Sequence, residues 1–271
     1  MSESTPRQPS IFLPHGGGPC FFMDWTWGPA DTWHATERFL AGFAATLPAP
    51  PRALLVISGH WEEPAFTVST AAHPELIFDY SGFPPRTYKL TWPAPGDPEL
   101  AQQVHTLLKD GGLPAAENST RGYDHGVFVP LKVAFPEVEI PVVTLSLAAS
   151  LDPTLHIAAG RALAPLRDED VLIVGSGMSF HNLRAYTHPE TKDRARAFDH
   201  WLTEVVEQPE PARTAQLTGW RTAPNAVFAH PREEHLIPLM VAAGAGGEAP
   251  GTRIFSDEPM GAVISAFRFD G

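Results

Sequence analysis

Ala53-Leu-Leu-Val-Ile-Ser-Gly-His-Trp-Glu-Glu63 sets a short apolar run against a Ser-Gly pair and delivers a histidine and two carboxylates. An apolar run bounded by glycine reads as a buried strand, and in open α/β sheets ligands gather beyond the carboxyl ends of such strands. The layout recurs in Ser10-Ile-Phe-Leu-Pro-His15-Gly-Gly-Gly-Pro19 and in Asp170-Val-Leu-Ile-Val-Gly-Ser-Gly-Met-Ser-Phe-His181-Asn182. Three strands thus end in three histidines, His15, His60 and His181.

Between and after these strands the pattern alternates. Residues 33–47 place Phe39, Leu40, Phe43, Ala44 and Leu47 at helical spacing, and Pro48-Ala-Pro-Pro51 ends that helix and feeds the strand at 53–58, which makes a βαβ unit. Residues 65–70 read as a strand, and residues 80–95, with Pro84, Pro85 and Pro93, as a long loop able to cover a site. Asp97 is placed to cap a helix opened by Pro98 and closing at Asp110-Gly111-Gly112. Residues 123–130 form a polar turn into a helical segment near 131–135, and residues 141–146 have the β-branched content of a core strand. Asp152-Pro153 opens a helix to about Pro165, residues 193–207 form a charged amphipathic helix, Pro231 suits a helix start, and residues 262–269 close the chain as a strand.

A chain of 271 residues with 43% hydrophobic content supports one large α/β domain, expected over residues 10–271 behind a flexible segment at 1–9. A net charge of −12 without a Lys/Arg cluster argues against nucleic-acid and anionic-membrane partners. One cysteine, Cys20, excludes an internal disulfide framework and a zinc site built mainly from cysteine, and fits a reducing compartment. The amino terminus has no basic start followed by an apolar core, and no stretch approaches the roughly 18 apolar residues that span a bilayer, so a cytoplasmic protein is expected.

Two imidazoles and a third donor around a metal with open positions suit non-haem Fe(II) oxygenases, and three such donors with one open position suit catalytic zinc. His15, His60 and His235 are the candidate metal ligands, with Glu62, Glu63 and Glu234 as alternative carboxylate donors. His125 and His181 are the candidates for proton transfer to and from a substrate, a task that imidazole suits; in a purely structural role His125 would bond a turn and His181 would start a helix. His230, entering the same segment through His-Pro, fits either a pocket wall or a cap. Trp25, Trp27 and Trp33 supply an aromatic wall or ordinary packing, and Arg184, Tyr186 and Arg232 are candidates for recognising a carboxylate or a ring. His15-Gly-Gly-Gly also matches the oxyanion-hole motif of lipase-type hydrolases, but Gly177-Met-Ser179-Phe-His181 lacks the closing glycine of their nucleophile elbow.

Five motifs taken together, His15-Gly-Gly-Gly-Pro, Ser58-Gly-His60-Trp-Glu, Tyr123-Asp-His125-Gly-Val-Phe-Val-Pro-Leu, Gly175-Ser-Gly-Met-Ser-Phe-His181-Asn-Leu and His230-Pro-Arg-Glu-Glu-His235-Leu-Ile-Pro-Leu, resemble the class III extradiol ring-cleavage dioxygenases, in the branch of the DOPA dioxygenases. The resemblance runs from about residue 11 to the carboxyl terminus. It implies a single α/β domain with a mixed central β-sheet flanked by helices and a mononuclear Fe(II), zinc being found in the same site of related proteins. It implies metal ligation by His15, His60 and His235, with Glu234 as the competing third ligand because protocatechuate-type relatives use a glutamate there. It further implies His181 as the acid–base residue, His125 as a second pocket histidine, and cleavage of a catechol by O2 to a semialdehyde in a monomer or small homo-oligomer. A zinc hydrolase using the same cluster and a non-catalytic binding protein on this fold are the alternatives.

Overall fold

A computed structural model describes residues 7–186 and 188–271. Of the segment expected to be flexible, residues 1–6 lie outside that description; Gln8 is buried, donating its amide N–H to Arg167 and its side-chain Nε2 to the Ala49 carbonyl, each at 3.0 Å.

One mixed sheet contains eight strands: β1 (Ser10–Pro14), β2 (Ala53–Glu63), β3 (Phe66–Ser69), β4 (Ala115–Asn118), β5 (Val142–Ala148), β6 (Val171–Gly177), β7 (Thr252–Asp257) and β8 (Ile264–Phe269). Their order is β4-β3-β5-β2-β6-β1-β8-β7. β6 runs parallel to both β1 and β2, with Pro14 opposite Gly177 and Ser58 opposite Ser176, so the predicted βαβ unit has β6 inserted between its two strands. The carboxyl ends of these three neighbours open on one edge of the molecule.

Helices cover both faces. Phe12, Leu55, Ile57 and Ile173 point to one side, into the core with α2 (Pro98–Asp110), α4 (Pro153–Leu163), α5 (Thr191–Val206) and α8 (Ile237–Ala245). Ile11, Leu13, Leu54, Val56 and Val174 point to the other, against α1 (His34–Phe43) and α3 (His125–Ala134). Burial on both faces is why these strands read as unbroken apolar runs. Two shorter helices, α6 (Ala212–Thr218) and α7 (Ala226–Ala229), lie between α5 and α8.

Three boundaries depart from the expected ones. β2 does not end at Ser58 but continues to Glu63, its pairing with β5 shifting register between Ile57 and Glu62, so His60 sits on a bulged strand and not on a turn. A bulge re-aims a side chain while keeping the strand paired. α3 begins at His125 and contains Pro130, which has no N–H for the carbonyl of Gly126 four residues back; that carbonyl accepts from the Ser176 hydroxyl of β6 instead. Finally, α8 starts at Ile237, because Pro238 fits only the first turn; Pro231 lies in a bend, and His235 precedes the helix. The edge strands β4 and β7 escaped prediction because both are half-exposed and carry little apolar periodicity.

Candidate active site

His15 follows β1, and its amide donates to the Gly177 carbonyl at the end of β6 (3.1 Å); the next amide of that strand's exit, Met178, donates to the carbonyl of His235 (3.0 Å). Gly175 and Gly177 make this possible. A Cβ on Gly177 would collide with the His235 carbonyl and one on Gly175 with that of Pro238, so the Gly-Ser-Gly motif is a bare patch of strand on which residues 234–238 lie. His60 Nε2 is then 3.3 Å from His15 Nε2 and 3.2 Å from His235 Nε2.

The outer nitrogens decide what these three atoms are. His15 Nδ1 is 2.8 Å from the Gly16 carbonyl, His235 Nδ1 is 2.9 Å from Glu234 Oε1, and His60 Nδ1 is 3.5 Å from Asp79 Oδ2. Carbonyl and carboxylate oxygens only accept, so each Nδ1 carries the proton and each Nε2 a lone pair. Burial, reinforced by the neighbouring histidines, holds His15 and His235 well below the ordinary imidazole range and His60 down to about 3. Three lone pairs facing one another repel unless a cation lies between them, and neutral, oriented imidazoles are what a divalent metal takes. The cluster can therefore bind a metal ion.

Asp79 joins two of the histidines. Its Oδ1 accepts from both the amide and the Nδ1 of His125, at 2.9 and 2.8 Å, while Oδ2 faces His60. Burial works to raise the Asp79 pKa, but the hydrogen bond and charge of His125, with His60 behind it, hold it near 2. The His125 ring lies 4.0 Å from that of His60. Beneath them, buried Asp124 accepts from Ser58 Oγ (2.7 Å) and Arg121 Nη2 (2.8 Å), and Gly126 packs so closely that a Cβ there would stand 2.8 Å from His60 Cδ2.

His181 stands across the cluster, its Nδ1 3.4 Å from the same Glu234 oxygen that His235 uses. Glu234 thus faces the outer nitrogen of His235, away from the point where the three Nε2 atoms meet. His230 is fully buried, its Nε2 bonds the Ser179 carbonyl (2.9 Å), and it is not among the residues that line the cavity. Ser179 Oγ is itself buried and accepts from the Ser265 amide (2.7 Å), so the hydrolase motif offers no exposed nucleophile.

A cavity of about 600 Å³ opens over His15, His60, His125, His181 and His235. Trp25, Trp27 and Trp33 line it, as do Tyr80 and Phe83 from the proline-rich loop. Residues 11–268 match the family described as the catalytic LigB subunit of aromatic ring-opening dioxygenase. The chain belongs to the LigB family. Among curated LigB-type relatives, the dioxygenase tasH of Hapsidospora irregularis is 40% identical over 97% of this chain and 86% of its own length. The 4,5-DOPA dioxygenase extradiol of Portulaca grandiflora is 38% identical over 88% of this chain and 86% of its own, and the Escherichia coli protein of that name is 31% identical over 91% and 89%. A crystal structure of an uncharacterized E. coli K12 protein superimposes with a TM-score of 0.78 at 28% identity, covering 97% of this chain and all (100%) of that one.

All five histidines picked out from the sequence line the LigB cavity. The sequence reading missed Asp79, which sits in a run with no strand or helix periodicity; its only local signal is a carboxylate in a stretch bounded by Phe78 and Tyr80. At the end of β2, Glu62 forms an ion pair with both terminal guanidinium nitrogens of Arg232 at 2.6 Å, and Glu63 accepts a hydrogen bond from Trp61 Nε1 at 3.0 Å.

Proposed function

We propose that this ring-opening dioxygenase holds an iron(II) on His15, His60 and His235 and cleaves a catechol beside its diol, using His181 and His125 to handle protons. The observation that carries the metal assignment is the convergence of three proton-free Nε2 atoms whose partners are fixed on the outer side. Iron and not zinc is favoured by the reaction, since a redox-active ion held by these histidines would supply the electron transfer between the aromatic ring and dioxygen that zinc cannot.

The chain's own groups supply the rest. Glu234 and Asp79 orient the outer nitrogens of His235 and His60, which keeps both imidazoles in one tautomer. His181, with Nδ1 toward Glu234, presents Nε2 to the cavity, where it accepts a catechol hydroxyl proton and later returns one to the oxygen freed as the O–O bond breaks. His125, held through Nδ1 by Asp79, has its other nitrogen free to hydrogen-bond the oxygens at the reacting carbon. Both oxygen atoms of O2 enter the product as the ring carbon–carbon bond breaks, leaving a carboxylate and an aldehyde. The aromatic wall excludes water from these steps.

Residues 10–271 are read as a single catalytic domain, working in the cytoplasm as a monomer or small homo-oligomer; the free, buried Cys20 agrees with a reducing compartment. Among the described residues no helix is long and apolar enough to cross a membrane. Anaerobic loading with iron or zinc, followed by a catechol panel in air, tests the reading. Oxygen uptake and a yellow ring-opened product with iron alone are expected; a filled iron site that turns over no catechol would sink it.

A further inference from the structure

The cavity is much larger than a bare catechol ring, and one wall is aromatic without a break. From Tyr80, whose ring is 5.8 Å from that of His125, centroids succeed one another to Phe83 at 5.5 Å, Trp27 at 5.3 Å, Trp25 at 5.1 Å and Trp33 at 5.7 Å. Trp27 and Leu183 line the cavity yet are 58% and 71% exposed, so the apolar surface continues out through the mouth. Isolated exposed apolar side chains are ordinary; two on the rim of one aromatic cavity extend its wall.

Charge is missing where an anionic substituent would need it. Among the described residues no lysine or arginine lines the cavity, and Asp79 is its one carboxylate. The cations that were candidates for carboxylate recognition are placed elsewhere: Arg232 is held by Glu62 at 2.6 Å, and Arg184 is exposed and off the wall. A carboxylate entering here loses its water with no lysine or arginine in exchange, inside a chain of net charge −12.

We infer that the substrate is a catechol bearing a large, apolar, uncharged substituent that lies along the run from Tyr80 to Trp33 and reaches the mouth at Trp27 and Leu183. The inference rests on the ring-cleavage reading of the site, and binding separates the two. Anaerobic iron-loaded protein is titrated with phenylcatechol and with dihydroxyphenylacetate, following tryptophan fluorescence. Phenylcatechol binds tighter by about tenfold or more if the inference holds, the order expected when a charge is desolvated unpaired. Equal binding, or tighter binding of the anion, overturns it. Leu183→Arg, at an exposed position that does not endanger folding, is expected to narrow the ratio by about twofold to fivefold; an unchanged ratio overturns the placement of the substituent at the mouth. Air is then admitted and oxygen uptake recorded. Uptake by neither catechol overturns the ring-cleavage reading, and the substrate assignment with it. Uptake with the anion preferred overturns the assignment alone.

Discussion

The rings of His181 and His235 stack face to face, centroids 3.4 Å apart and planes 16° from parallel. Both direct Nδ1 at one oxygen, Glu234 Oε1, so a single carboxylate sets the height and tilt of a proposed metal ligand and of the proposed proton carrier. Glu234→Ala is expected to weaken metal binding by about 10–100-fold, measured by chelator competition, with Glu234→Gln recovering part of the loss. Complete loss of metal in both variants would instead make Glu234 a ligand.

His60→Ala and His181→Ala should part company. Without His60 the cluster keeps two nitrogens and loses stoichiometric iron, whereas without His181 iron stays bound and ring opening falls by about 10²–10⁴-fold. Iron content by elemental analysis beside turnover separates them. Stoichiometric metal and full activity in His60→Ala would remove the assignment of the site.

Gly126→Ala drives a methyl toward His60 Cδ2 and Ser58 Oγ, both 2.8 Å from the new carbon. The α3 N-terminus or the His60 ring must yield, lowering stability by about 1–3 kcal/mol and turnover with it. Gly42→Ala on exposed α1, where an added Cβ meets nothing within 4 Å, is the control. It is expected to stabilise by up to about 1 kcal/mol in urea unfolding and leave turnover unchanged.

Far from the site, His156 accepts from the Ala148 amide through Nε2 and donates through Nδ1 to the Asp152 carbonyl, and burial lowers its pKa to about 4. The unfolded chain therefore takes up a proton near pH 6.5 that the folded one refuses, and stability rises with pH across that window. His156 contributes fully above pH 6.5, and the contribution is lost as pH falls, roughly 2 kcal/mol by pH 5 and roughly 3 kcal/mol by pH 4. His156→Gln should be less stable at neutral pH but flatter from about pH 6.5 to 4, as urea midpoints of metal-free protein will show. An identical pH slope in the variant would exclude this role.

Metal binding should also appear as stability. With free metal at a hundredfold its dissociation constant, chelation is expected to remove about 3 kcal/mol and lower the thermal midpoint, and His15→Ala should show no chelator effect.

The site was legible in the sequence where side chains sit on regular elements. β1, β2 and β6 are apolar on both faces, and each leads to a histidine on the same edge, so His15, His60 and His181 stood out by layout. His235 and His125 were found, but the helix starts beside them were misplaced: Pro231 suggested the start that belongs to Pro238, and residues 123–130 read as a turn although α3 already begins at His125. Asp79 was invisible because its position comes from the loop packing over α3, a tertiary fact without a period. The edge strands β4 and β7 were missed for the opposite reason, their half-exposed faces giving no apolar pattern to read.

The pairing of β6 with both β1 and β2 makes the metal cluster a test of completed folding. Its proposed donors are at residues 15, 60 and 235, and two of them reach the centre only if Pro14 meets Gly177 and Ser58 meets Ser176. A one-residue slip in either pairing turns that strand's side chains to the opposite face. Chains with an unformed or misregistered centre would hold at most two nitrogens together and capture metal poorly, so uptake of the ion should lag collapse and coincide with the last, most non-local pairings.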